Sequence, residues 1–329
     1  MEHYGIYHNE IPALLLDCAN TPCMQRIKAV GMNCGCEYTA FARFSGLAPY
    51  SRFDHSLGVA LIVWRFTRDK KQAIAGLLHD VATPVFAHVV DFLHGDYMTQ
   101  ESTEDGTRAI IASDAALCAV LSENGLSVDD VCDYHRYPIA DNDSPRLSAD
   151  RLEYTLGNLL NFRIRTSDEV RGYYHDLTVI QNEDGEDELA FCTEKIAADF
   201  ARAALVCSKI YVSDEDRYAM QMLAELLKDA IACGVLTEAD LYTTEPQVIG
   251  KLLQNERTAA AWQRFRAYRS MRRAKEPTGA GQWRRLAAKK RYIDPLIANI
   301  GRVSAHSEAF RTAVEAFRSD PQDEWLAGE

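Results

Sequence analysis

Three short stretches carry side chains whose types and order can do chemistry. Ser51-Arg52-Phe53-Asp54-His55-Ser56-Leu57-Gly58-Val59 supplies an imidazole. Leu77-Leu78-His79-Asp80 supplies a second imidazole, 24 residues after the first, with a carboxylate beside it. Ser148-Ala149-Asp150-Arg151-Leu152-Glu153-Tyr154 adds another carboxylate. His55, His79, Asp80 and Asp150 together offer two nitrogens and two oxygens. That set suits one divalent cation with positions left for water and phosphate, and Mn, Fe, Ni, Co, Zn and Mg all fit it. The chemistry it points to is metal-dependent hydrolysis of a phosphate ester. A His-Asp pair alone says little, and His175-Asp176 is read as a surface pair. His79-Asp80 differs because it closes the apolar run Ala73-Ile-Ala-Gly-Leu-Leu, where a charged terminus needs a reason.

Helices must position these groups. The apolar residues Val59, Ile62, Val63 and Phe66 follow Asp54 at helical spacing, on the side that carries His55. A second helix is expected from about Lys71 to His79, with Ile74, Leu77 and Leu78 inward. Thr83-Pro84 reads as an N-cap followed by proline at the first helical position, opening a helix that buries Val85, Phe86, Val89 and Phe92. His88 and Asp91 then share a face. Further helices are expected at about 104–112, 114–123 and 128–135. Another begins near Ser148, on which Asp150, Tyr154 and Asn158 repeat at i, i+4 and i+8 as one polar stripe. The stretches 177–181 and 188–192, flanking Asn182-Glu-Asp-Gly185, read as a β-hairpin. Helices at 194–212 and 214–233, near-continuous helix from 245 to 273, a linker at Pro277-Thr-Gly-Ala-Gly281 and a last helix at 305–318 complete the chain. The fold class is all-α with one small hairpin. It divides into a catalytic core at 1–170 and a mostly helical lobe at 171–329.

The 329 residues can bury a full core, and their 47% hydrophobic content with mixed charge fits a soluble globular protein. No apolar run is long enough to span a membrane, and the N-terminus lacks signal-peptide character. Nine cysteines, an odd number without paired metal-finger spacing, read as reduced thiols in a cytoplasm. The net charge of −12 hides an asymmetry: residues 251–302 hold 14 Lys and Arg against 3 Asp and Glu. The acidic remainder disfavours non-specific nucleic-acid binding, while the basic segment can attract phosphate or an acidic neighbour.

The motifs resemble those of the HD-domain phosphohydrolases, whose pattern is His…His-Asp…Asp on an all-helical fold. The first motif is most similar to the deoxynucleoside triphosphate triphosphohydrolase branch, with Arg-Phe-Glu-His-Ser-Leu-Gly-Val. The resemblance implies that His55, His79, Asp80 and Asp150 hold the metal and that Arg52 faces substrate phosphate. Against the family's Leu-Gly-His-Gly-Pro-Phe-Ser-His-x-x-Asp, this chain reads Val81-Ala-Thr-Pro-Val-Phe-Ala-His88-Val-Val-Asp91. His88 and Asp91 match, and Thr83 replaces a histidine. The family's acid histidine, from a later His-Glu pair, has Gln100-Glu101 as its nearest counterpart. Glutamine cannot act as a titrating acid, so His88, His94 or Glu101 is left to assist proton movement, or the cation alone drives cleavage. Asp150-Arg151-Leu-Glu-Tyr154 is similar to the family's Asp-Lys-x-Asp-Tyr. By that match Arg151 contacts phosphate and Tyr154 packs by the sugar. Asn158 stands where an aspartate binds a sugar hydroxyl, and Gln100 can hydrogen-bond phosphate.

Arg264, Arg266, Arg269, Arg272 and Arg273 interleave with Trp262, Phe265 and Tyr268. This is either a single-strand-binding pattern or a helix with its aromatics in the core and its arginines paired to the acidic body; the second is favoured. A second cluster, Arg284-Arg285 and Lys289-Lys290-Arg291-Tyr292, is placed to complete a pocket for an anion or a contact between copies of the chain. The leading expectation is hydrolysis of a nucleotide or deoxynucleotide phosphate ester. A nucleotide-binding regulatory protein that kept the pocket and lost turnover is the alternative, and a nucleic-acid phosphodiesterase using segment 257–291 comes third.

Overall fold

The computed structural model describes residues 4–7, 10–94, 106–277 and 279–329. Eight main helices are numbered here in chain order: α1 Arg52–Thr67, α2 Lys70–Leu78, α3 Val89–His94, α4 Ala149–Asn161, α5 Glu194–Ile210, α6 Asp214–Ala232, α7 Glu256–Ala267 and α8 Glu308–Ser319. Short helices fill the intervals, among them Tyr4–Tyr7 at the N-terminal end and Glu245–Leu253 before α7. None of the described helices is long and apolar enough to cross a membrane.

Helix starts follow local signals. Ser51 accepts from the Asp54 amide while the Asp54 carboxylate accepts back from Ser51, a reciprocal cap that opens α1. Ser148 accepts from the Arg151 amide to open α4. Asp69 caps α2. Residues 59–63 of α1 and 73–75, 77 and 78 of α2 are fully buried, so these two helices form the centre of the larger hydrophobic core. A second core gathers around α6 and α7, where Trp262 and Phe265 are buried. Each core draws residues from both sides of position 170.

The hairpin is β1 Leu177–Gln181 against β2 Asp187–Phe191, in the register Leu177↔Phe191 to Gln181↔Asp187. The fold nevertheless departs from all-α. β2 is extended in parallel by β5 Leu296–Ile297, which pairs antiparallel with β6 Gly301–Arg302. A second sheet, in the order β3-β7-β4, joins Met271–Ala274, Trp325–Gly328 and Arg284–Arg285.

These strands correct a second expectation. The continuous helix over 245–273 breaks at Asn255, which caps α7, and it gives way to strand at Met271. The linker around Pro277 joins two strands of one sheet: Arg272 donates to the Ala280 carbonyl at 2.8 Å, and β3 and β4 both pair with β7. The basic segment is largely tied down, with Arg273 paired to Asp214 and Glu324, Arg272 to Glu329 and Arg284 to Glu225.

A third correction concerns Thr83-Pro84. No helix starts there. Residues 85–88 form a turn in which Phe86 and Ala87 take positive φ of 59° and 47°, and α3 begins only at Val89. The Thr83 hydroxyl donates to Asp80 Oδ1 at 2.8 Å instead of capping. The Val85 amide donates to the Leu241 carbonyl at 2.7 Å, and the Phe86 amide faces the Glu245 carboxylate. A left-handed conformation at two non-glycine residues is held only where surrounding contacts over-determine it, and here they come from far along the chain.

Candidate metal centre

His55 lies in the first turn of α1, His79 just past the last turn of α2, Asp80 next to it, and Asp150 in the first turn of α4. One nitrogen from each imidazole and one oxygen of Asp80 fall within 4.8 Å of one another, and all three residues are buried. Asp150 Oδ1 stands 2.9 Å from His55 Nε2 and 3.7 Å from His79 Nε2. The two Nε2 atoms are 3.2 Å apart.

The partners of the other ring nitrogens fix what these atoms can do. His79 Nδ1 is 2.7 Å from the Gly76 carbonyl, an unclaimed acceptor at the end of α2. A carbonyl only accepts, so Nδ1 carries the hydrogen and Nε2 presents a lone pair. His55 Nδ1 is 2.5 Å from the Glu153 carboxylate and carries its hydrogen for the same reason. The neutral imidazoles therefore aim two lone pairs at each other and at two carboxylates, with no donor among the four. Only a positive charge resolves that arrangement. Without a metal, a proton fills the gap: burial opposes charge on His55, but hydrogen bonds to Asp150 and Glu153 outweigh it and carry its pKa up to about 10. Burial likewise opposes ionisation of Asp150, yet His55 and His79 hold it at about 2. A divalent cation fits the same four atoms.

Asp80 is gripped on both oxygens, by the Arg52 guanidinium at 2.9 Å on Oδ2 and by Thr83 on Oδ1. Burial acts against its charge, but Arg52 and the two histidines keep it ionised well below the usual carboxylate range. Arg52 does not pair with Asp54, whose carboxylate is committed to the α1 cap. Arg52 Nε is buried and lacks a hydrogen-bond partner among the described residues.

The four groups open onto a cavity of about 240 Å³. Asp150, Tyr154 and Asn158 all line it, so the polar stripe on α4 faces the site as its spacing predicts. Asn158 Nδ2 donates to the Tyr211 hydroxyl at 2.8 Å, leaving Oδ1 buried and unpartnered among the described residues. His88 also lines the cavity, and its Nδ1 lies 2.8 Å from the fully buried Asp91. Arg151 reaches the wall, but its guanidinium donates to the Arg146 and Asn142 carbonyls and pairs with Asp141, which makes it a strut for the 141–146 loop. Gln100 and Glu101 lie outside the described residues, as does the side chain of His94.

Lys289 and Arg291 complete the cavity from an irregular strap between β4 and β5. The strap is pinned at Leu286 by Arg217, at Ala288 by Gln322 (3.0 Å) and at Asp294 by the Pro145 carbonyl (2.9 Å). Two contributors were not legible as site residues. Tyr134, whose ring lies 4.9 Å from that of His79, stands in no chemical motif. Glu153 was visible only as part of the third stretch; its spacing of three from Asp150, on the same helical face, is the signal that marks it.

A mostly helical body with two small sheets defines the class of fold. Solved structures contain it: a phosphohydrolase from Bacteroides thetaiotaomicron VPI-5482 superposes with a TM-score of 0.64 over 97% of this chain and 96% of that one, at 14% identity. The chain has that fold. By sequence it is similar to the uncharacterised protein YdhJ of Bacillus subtilis (strain 168), 24% identical over 76% of this chain and 73% of YdhJ. It is also similar to the metal-dependent phosphohydrolase cns2 of Cordyceps militaris, 24% identical over 64% of this chain and 55% of cns2. No protein-family model matches the chain.

Proposed function

We propose that this protein is a metal-dependent phosphohydrolase of the HD type, acting on a small phosphate ester such as a nucleotide or deoxynucleotide. The observation that carries the reading is the set of four acceptor atoms, from His55, His79, Asp80 and Asp150, converging beside Arg52 at the floor of a cavity. The names of cns2 and of the Bacteroides structure support it. A cation held by these four residues supplies Lewis acidity and lowers the pKa of water at its open positions.

The chain's own groups do the rest. Arg52 Nε, buried and unpartnered among the described residues, donates to a phosphate oxygen and stabilises charge as the P–O ester bond breaks. His88 donates its Nδ1–H to Asp91, which leaves the Nε2 lone pair to take a proton from the water that attacks phosphorus and to return it to the departing alkoxide; the new P–O bond replaces the ester bond, and the products are an alcohol and phosphate. Tyr154 packs the organic part and Asn158 Oδ1 accepts from one of its hydroxyl or amino groups. Lys289 and Arg291 hold the anion from the strap, while Arg151, paired with Asp141, holds the wall in place. A cavity of about 240 Å³ suits a single small ester better than a polymer strand.

Metal analysis of the purified protein, paired with a phosphate-release screen over mono- and triphosphates, tests this. His55→Ala and Asp80→Ala are expected to lose bound metal and to lower hydrolysis by about 10³-fold or more. Unchanged metal content and phosphate release in both variants overturns the proposal.

A further inference from the structure

Helix α4 holds His55 from both sides. Asp150 meets its Nε2 and Glu153, one turn on, meets its Nδ1 at 2.5 Å. Glu153 is fully buried, and among the described residues its hydrogen-bond partners include no Lys or Arg. Its carboxylate instead accepts from the Tyr50 hydroxyl on Oε2 and from the Tyr7 hydroxyl on Oε1 at 3.1 Å. Three neutral or proton-sharing donors around one buried carboxylate form a costly arrangement unless the charge is needed. The helix opposite is shaped for it: a β-carbon at Gly58 would stand 2.5 Å from Glu153 Oε1 and 2.6 Å from its Cγ. Gly58 follows His55 by three residues, so α1 presents the imidazole and the gap for its partner on one face.

We infer that Glu153 is a positioning residue of the metal centre, acting through His55. It rests on the reading of that centre as a metal site. By taking the Nδ1 hydrogen, Glu153 fixes the tautomer that aims the Nε2 lone pair at the cation, sets the ring plane, and makes the imidazole a stronger donor. Tyr7 and Tyr50 hold the carboxylate in place, so the N-terminal helix Tyr4–Tyr7 becomes part of the metal site without touching it. Asp150 and Glu153 therefore differ in role although they share a helix face: one contacts the cation, the other governs a ligand of it.

The test is calorimetric titration of the full chain with Mn²⁺, comparing wild type with Glu153→Gln and Tyr50→Phe. Glu153→Gln keeps size and shape and is expected to weaken Mn²⁺ binding by about 10–100-fold, with Tyr50→Phe falling between it and wild type. The visible absorption of the Co²⁺-loaded protein, which reports the ligand field, is expected to shift in Glu153→Gln, and a purely structural role would not move it. Wild type that binds Mn²⁺ together with a Glu153→Gln variant that binds within twofold and keeps the Co²⁺ spectrum overturns this inference alone. Wild type that binds neither ion overturns the metal reading and the inference with it.

Discussion

Two acidic clusters feel the charge of Arg52, and they dispose of their own charge differently. At the metal centre two carboxylates meet two imidazoles at the edge of an open cavity. At the second cluster Glu37 and Glu245 crowd around Gly31, where a β-carbon would stand 2.3 Å from Glu37 Oε1 and 3.5 Å from Glu245 Oε1. Glu245 accepts from the Gly31 amide at 2.8 Å and from Tyr38 at 2.7 Å, while Glu37 Oε2 has no partner among the described residues. Burial and the neighbouring Glu245 push the Glu37 carboxyl up to about 8, so this pair keeps a proton at neutral pH. The first cluster has imidazole nitrogens and lines the cavity, and it calls for a cation; the second pairs two carboxyls without an imidazole among their described partners and settles on a proton. In this molecule the carboxylates that call for a cation are the ones that share a cavity with two imidazoles.

Adding a chelator to the metal-loaded protein separates the clusters most sharply. At metal 100-fold above its dissociation constant the wild type is expected to lose about 2.7 kcal/mol of stability on chelation, read as a fall in melting temperature. Asp80→Ala, lacking a ligand, should show no such fall; an equal fall would place the bound ion elsewhere.

A smaller effect is expected at the other cluster. A carboxyl whose folded-state pKa lies above its unfolded value favours folding at low pH. That contribution is lost as pH rises from the ordinary carboxylate range through about 8. Glu37→Gln should flatten this decline and stabilise the protein by on the order of 1 kcal/mol at pH 8–9, without altering chelator sensitivity. Denaturant melts across pH 5–9 would read it, and a variant as pH-sensitive as wild type would remove the shared proton from the comparison.

The smallest change is at Thr83, whose hydroxyl holds Asp80 Oδ1. Thr83→Val should cost about 1 kcal/mol of stability and a few-fold in metal affinity, by melting and calorimetry, with no effect on the pH response. A pH response altered by this variant would show that the two clusters are coupled through the 80–86 turn.

The legible parts of the molecule were those fixed by local chemistry. Apolar spacing after Asp54 placed α1, a helix start near Ser148 placed α4, and i, i+4, i+8 spacing placed Asp150, Tyr154 and Asn158 on one wall. The hairpin was readable from alternation around Asn182–Gly185. What failed to show was decided at long range. Thr83-Pro84 carries every local sign of a helix start, but Leu241 and Glu245 draw the following residues into a turn. Met271–Ala274 has no strand pattern of its own and is strand because Trp325–Gly328 pairs with it. Arg151 matched a phosphate ligand by position, and only the path of the 141–146 loop shows where its guanidinium goes.

The strap has a consequence for how the protein is made. A chain synthesised from its N-terminus carries His55, His79, Asp80 and Asp150 before Lys289 and Arg291 exist, an interval of roughly 7–30 s at about 5–20 residues per second. During that interval the cavity has no wall on the strap side, and its polar groups stay hydrated. The environment that makes these groups demand a cation is completed only once the strap, about 140 residues after Asp150, has emerged. The enclosed site is thus acquired well after the four groups at its floor have been made.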